Sequence, residues 1–279
     1  MVVKTFFAVP VFPGATRVTS LVVLGDSTAV GVGDPLPAGG WRGFGPLLAA
    51  ALGAPSELRY ANLSIIGARV ADLRYRQLPC AVATRPDVAV ISAGMNDTLR
   101  SDFDPLTLRD DLDVTVTGLQ ATGAVVLITR FHHHGQVFRL PGPLRRALHQ
   151  RIGQLNDAID QVVACRGALC LDLHVTPGTY DTAAWSVDRL HPSELGHRML
   201  AAALASMLAG AGIAVPHPVD LTCTDGRQLT AADHLAWLVC RGVPWLVRRS
   251  RDLLPYAAAV VLRDLFGRSR RYRRGGAAR

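Results

Sequence analysis

The chain has 279 residues, of which 49% are hydrophobic and 19% charged, with a formal net charge of +8. That balance supplies a sizeable core and excludes a disordered chain, which would be polar and highly charged. The 26 glycines follow no period of three, which excludes a collagen-like fibre. No stretch reaches the roughly 18 uninterrupted apolar residues of a membrane-spanning helix. Met1–Phe7 carries a single lysine and a short apolar run, closely followed by Pro10 and Pro13. This falls short of a secretory signal, so a cytoplasmic location is expected. Cys80, Cys165, Cys170, Cys223 and Cys240 contain no C-x-x-C pair and read as buried free thiols, neither a disulfide framework nor a zinc site.

The charge is uneven. Residues 216–279 hold twelve arginines against five acids, so nearly all the positive excess lies at the C-terminal end. With Pro216 and Pro218 at the join, the expected division is a segment over 1–17, a main domain over 18–214, a basic helical extension over 215–267 and a disordered Arg-rich tail over 268–279.

In chain order, Leu21–Leu24 is a continuous apolar run stopped by Gly25, as in a strand buried on both faces. Trp41–Leu52 predicts a helix ending near Gly53, and Leu58–Leu63 a second strand. Val88–Ile91 is a third strand, closed by Ala93 and Gly94. Leu106–Ala121 predicts a helix capped by Asp104 with Pro105 in its first turn. Val125–Ile128 is a fourth strand, Pro143–Ala164 a helix and Ala168–Leu173 a fifth strand. Ser193 caps a last helix through Leu208, closed by Gly210. This alternation predicts a five-stranded parallel sheet between two helical layers, a three-layer α/β/α fold whose ligands bind at the carboxyl ends of the strands.

Four short motifs lie near those ends or before the last helix: Gly25-Asp26-Ser27-Thr28, Asn62 to Gly67, Gly94-Met95-Asn96-Asp97 and Asp188-Arg189-Leu190-His191-Pro192. Together, over roughly residues 18–212, they resemble the SGNH hydrolases, the GDSL family of esterases and lipases. The resemblance implies a flavodoxin-like sheet, a catalytic triad of Ser27, His191 and Asp188, and an oxyanion hole from Ser27, Gly67 and Asn96. One position departs from the pattern, Thr28 standing where the family has Leu.

The residues support that chemistry directly. A serine hydroxyl needs a base to take its proton, and an imidazole changes charge near neutral pH. Asp188, three residues before His191, can accept the other ring N–H and fix the tautomer. The Ser27 N–H, the Gly67 N–H and the Asn96 side chain can together receive a developing oxyanion. Taken singly, Ser27 also suits a helix cap, Gly67 a turn and Asn96 a loop bond; only their shared position at one sheet edge speaks for a site. Asp26 and Asp97 adjoin these residues and are expected to support them through hydrogen bonds.

His132, His133 and His134 are adjacent, so on an extended loop they point different ways and seldom chelate one ion. They are expected to line the substrate cleft, as are Tyr180 and Trp185, for which ordinary packing is the alternative. No metal and no organic cofactor is expected. His197 suits a surface or packing role, and Gly31 and Gly33 do not complete a dinucleotide fingerprint. In the basic extension, Leu235, Leu238, Val239 and Trp245 and the run Asp252–Phe266 suggest helices packed on the main domain or touching an anionic membrane. No nucleic-acid motif is present. The expected function is serine-dependent hydrolysis of small-molecule or lipid esters. An acyltransferase with the same triad and a non-catalytic membrane or partner-binding module are the alternatives.

Overall fold

A computed structural model describes residues 15–137 and 142–223, together with Pro255 and Ala258. Nearly all of the basic extension beyond residue 223, with its expected helices and Cys240, lies outside the described residues, as does the Arg-rich tail. Five strands, β1 (Ser20–Gly25), β2 (Arg59–Asn62), β3 (Val88–Ser92), β4 (Val125–Arg130) and β5 (Leu169–Asp172), form one parallel sheet in the order β2-β1-β3-β4-β5. The helices are α1 (Ser27–Val30), α2 (Phe44–Leu52), α3 (Val70–Asp72), α4 (Leu78–Thr84), α5 (Met95–Thr98), α6 (Pro105–Gln120), α7 (His134–Val137), α8 (Gly142–Arg166) and α9 (Glu194–Gly210). A π-helical turn, Leu73–Gln77, joins α3 to α4.

Alternation along the strands makes the layers. Val22, Leu24, Ala89, Ile91, Val126 and Ile128 face α4, α6 and α8. Their neighbours Leu21, Val23, Val88, Val90 and Leu127 face α2 and α9. Leu204 of α9 is fully buried in this second core. Leu204→Ala is expected to lower unfolding stability by about 2–5 kcal/mol in urea titration, with a small change indicating that the face collapses around the lost side chain.

The caps at Asp104 and Ser193 are as expected: Asp104 accepts from the Leu106 N–H and Ser193 from the Gly196 N–H. Three features differ. The helix expected from Trp41 begins at Phe44, because Trp41 bridges to Pro35 and Arg42 is tied to Asp34. The helical stretch Val70–Thr84 has no counterpart in the sequence reading; its arginines and internal Pro79 obscure its period. The thiols of Cys80, Cys165 and Cys223 are exposed and that of Cys170 half-buried, all unpaired, so burial of the cysteines is not observed.

Thr16 pairs with Ile213 and the His217 N–H donates to the Ala51 carbonyl, so the chain keeps packing on the same face on either side of residue 214. Among the described residues, no helix is long and apolar enough to cross a membrane.

Candidate active site

The strand order reverses between β1 and β3, and their carboxyl ends leave a crevice at that switch point. Ser27 lies just past β1, where Asp26 caps α1 by accepting from the Thr28 N–H. As the first helical residue, Ser27 has no intrahelical acceptor for its own N–H. Gln77, on the π-helical turn, bonds both backbone groups of Gly25, accepting from its N–H at 2.8 Å and donating to its carbonyl at 2.9 Å. This clamp fixes the strand end that carries Ser27. Nothing in the sequence marked Gln77, although π-turns often occur at functional sites.

His191 comes from the loop before α9, on the other side of the crevice. Its Nε2 is 2.8 Å from Ser27 Oγ and its Nδ1 2.6 Å from Asp188 Oδ2. The second Asp188 oxygen accepts from Ser186 Oγ at 2.7 Å and from the N–H groups of Leu190 and His191. Burial works to raise the Asp188 pKa, but the bonds from His191 and Ser186 outweigh it and hold the group at about 2. Its folded pKa is therefore depressed below the ordinary 3.8, so it contributes stability above pH about 4 that is lost as pH falls towards about 2. Urea titrations across that window are expected to show more loss in wild type than in Asp188→Asn; equal losses would remove Asp188 as the cause.

Two further contacts hold the His191 loop. Gly33 lies so close beneath it that a Cβ there would stand 2.0 Å from the Pro192 carbonyl oxygen. Arg42 bonds Asp34 through Nε at 3.0 Å and Glu194 through Nη2 at 2.9 Å, bridging the segment after α1 to the start of α9. His197 is buried and not at the surface: its Nε2 lies 3.1 Å from the Val32 carbonyl and its ring stacks on Phe44.

The remaining motif residues line the same crevice. Gly67 is exposed after β2, with φ +79 and open space where a side chain would be, and its N–H donates to no described group. Asn96 Nδ2 donates to the Ala68 carbonyl at 3.1 Å and makes a longer contact of 3.4 Å with Asp26 Oδ2. Asp97 accepts from the Val70 N–H and from Arg69 Nε, joining the Gly67 loop to α5. Burial raises Asp97 and pushes Asp26 up to about 6, partly opposed at Asp26 by the Thr28 N–H and by His191.

A mostly apolar cavity lies beside Ser27, with about 680 Å³ of empty space counting its open mouth. Thr28, Met95, Leu190 and Pro192, the immediate neighbours of Ser27, Asn96 and His191, contribute to its wall. His132 and Trp185 line it, but His133 and Tyr180 do not. The His133 ring packs against His149 and His174, each at 4.3 Å between centroids, while Tyr180 accepts from the His133 N–H and meets His174 Nδ1. His134 takes the place in the cavity expected of His133. Alternation along the loop explains this, as positions 132 and 134 share one side and 133 the other.

The family model of the GDSL-like lipase/acylhydrolases matches residues 23–199. An acetylxylan esterase of Geobacillus stearothermophilus is 28% identical over 160 residues, covering 52% of this chain and 70% of that protein. Among solved structures, a lipase/acylhydrolase from Enterococcus faecalis superposes with a TM-score of 0.54 at 23% identity, over 69% of this chain and 96% of that one. An acetylxylan esterase structure from Geobacillus stearothermophilus gives 0.55 at 20% identity, also over 69% and 96%. These two likenesses carry the fold, and the family match over more than half of the sequence carries membership: the chain belongs to the GDSL-like lipase/acylhydrolase family and is an SGNH-type hydrolase.

Proposed function

We propose that the protein hydrolyses carboxylic esters through a covalent acyl-enzyme on Ser27, with His191 as the base and Asp188 as its orienting partner. The unbroken chain from Ser27 Oγ to His191 Nε2 and from His191 Nδ1 to Asp188 Oδ2 is the observation that carries this reading. Ser27 Oγ attacks the ester carbonyl carbon as its proton passes to His191 Nε2. The ring N–H at Nδ1 stays on the imidazolium, held by the Asp188 carboxylate. The tetrahedral intermediate places its negative oxygen before the N–H groups of Ser27 and Gly67 and the Asn96 amide. His191 returns its proton to the departing alcohol, and a water, deprotonated by the same nitrogen, then releases the acid and restores Ser27.

Asn96 serves the oxyanion by exchanging its longer contact with Asp26, while the Ala68 carbonyl keeps the amide oriented. Asp26 and Asp97 support the donors, Asp26 by capping α1 and Asp97 by tying the Gly67 loop to α5. His132 and Trp185 contact substrate from the cavity wall. Asn96→Ala is expected to lower kcat by about 10²–10³ with little change in KM. A KM effect alone would make Asn96 a ground-state contact.

The test of the reading is turnover of p-nitrophenyl esters from acetyl to palmitoyl, paired with mass spectrometry of quenched enzyme. Serine-dependent turnover with an acyl adduct on the peptide holding Ser27 supports it. Turnover that appears only when an acceptor alcohol is added, with a new ester as product, would replace hydrolysis by acyl transfer.

A further inference from the structure

The cavity beside Ser27 holds a pair of histidines to which the catalytic steps of ester hydrolysis give no role. His132 and His134, both 3% exposed, contribute to a mostly apolar wall that includes Met95, Phe131, Leu173 and Trp185 beside the hydroxyl residues Thr28, Ser92, Thr176 and Thr179. The two imidazoles bond one another, His132 Nε2 to His134 Nδ1 at 3.1 Å. Their other ring nitrogens, His132 Nδ1 and His134 Nε2, are buried and make no well-formed hydrogen bond among the described residues, although the Arg189 backbone lies near enough to the His134 ring to favour its protonated form. Buried polar atoms are rarely left so, and here two of them belong to residues that line a cavity open to solvent.

We infer that this cavity is an acyl subsite built for a chain bearing a neutral hydroxyl, and that the His132–His134 pair recognises that hydroxyl. The inference rests on the ester-hydrolase reading and names the substrate class for it. One neutral imidazole carries one donor and one acceptor nitrogen. In the shared contact, one ring uses its donor and the other its acceptor. Whichever way the proton lies, the pair therefore presents one free N–H and one bare nitrogen. A hydroxyl both donates and accepts, so it can complete either. A plain alkyl chain completes neither and strips water from both.

Charge points the same way. Burial holds both rings below the ordinary histidine range, with His134 at about 4, so the pair is neutral at pH 7 and brings no counter-charge for a carboxylate. The lining carries the rest of the chain: Met95 and Leu173 offer aliphatic contact, and the Trp185 ring stands 4.7 Å from that of His132. The wall includes Thr28 and Met95, next to Ser27 and Asn96, as well as Leu190 and Pro192, next to His191, so an ester held at Ser27 reaches it, and the acyl portion is the part that the experiment varies.

The experiment compares kcat/KM for p-nitrophenyl butyrate and p-nitrophenyl 3-hydroxybutyrate on the full-length protein, with wild type, His132→Phe, His134→Leu and His134→Gln. Wild type is expected to favour the hydroxy ester by about tenfold or more, since a site built to bond a hydroxyl discriminates against the analogue lacking it. His132→Phe and His134→Leu are expected to abolish or reverse that ratio, and His134→Gln, which keeps a donor and an acceptor, to retain part of it. A wild-type ratio of one or below overturns the inference and leaves the ester-hydrolase reading standing, a bound water then satisfying the pair. So does a preference that survives His132→Phe in a folded protein. If the apolar variants do not fold, the wild-type ratio and His134→Gln still decide. Absence of serine-dependent turnover of either ester removes the ester-hydrolase reading, and the subsite with it.

Discussion

Ser27→Ala is expected to lower kcat by about 10⁴–10⁶ while leaving the urea unfolding midpoint nearly unchanged. The side chain is half-buried and, among the described residues, its hydroxyl bonds only His191, so removing the oxygen creates little cavity and orphans no backbone group. Residual turnover would come from the oxyanion donors and from binding, which survive without the nucleophile. Stopped-flow or discontinuous assays of one activated ester, run beside a urea titration, measure both quantities. Turnover within tenfold of wild type would end the proposed mechanism, because among the described residues the hydroxyl bonded to His191 Nε2 is that of Ser27.

Asp188→Asn is expected to cost about 10⁴ in kcat, with KM held within a few fold. An asparagine can keep the bonds from Ser186 and the backbone, but one of its orientations sets an N–H group against His191 Nδ1 and the other fails to stabilise an imidazolium. Either way Nε2 is no longer an effective base towards Ser27. A double variant, Ser27→Ala with Asp188→Asn, is expected to be hardly slower than Ser27→Ala alone, since residues acting as one unit do not add. If Asp188→Asn stays within tenfold of wild type, the carboxylate is a loop brace and the base is oriented by something else.

The sequence made the strands and the four motifs readable for a single physical reason. Doubly buried strands must be continuous apolar runs, and the residues that follow them must be polar or glycine where the crevice opens. Ser27, Asn96 and Gly67 could be placed at one edge on that basis, and Asp188 and His191 by the capped helix behind them. The clamp from Gln77 to Gly25 was not readable, because a side chain that bonds backbone 52 residues away leaves no local pattern. Nor could the sequence say which histidines of 132–134 enter the cavity. Alternation allows either one or two of them on a given side, and only the packing of His133 against His149 and His174 fixes the phase. The helical period runs on through Trp41 in the sequence, because its bridge to Pro35 and the tie from Arg42 to Asp34 leave no mark in that period.

The nucleophile and its base are 164 residues apart in sequence, and the contact between them is made only when α9 lies on the α2 face of the sheet. A nascent chain leaving the ribosome therefore carries Ser27, Gly67 and Asn96 long before it has the His191 imidazole that bonds the hydroxyl. Until residue 191 is synthesised and α9 docks, the half-made protein holds an inert serine. Long-range closures of this kind form late and slowly, because the entropy of the intervening loop is spent before the contact repays it. Catalytic competence is thus a property of the finished topology, and its appearance during refolding would time the docking of the last helix.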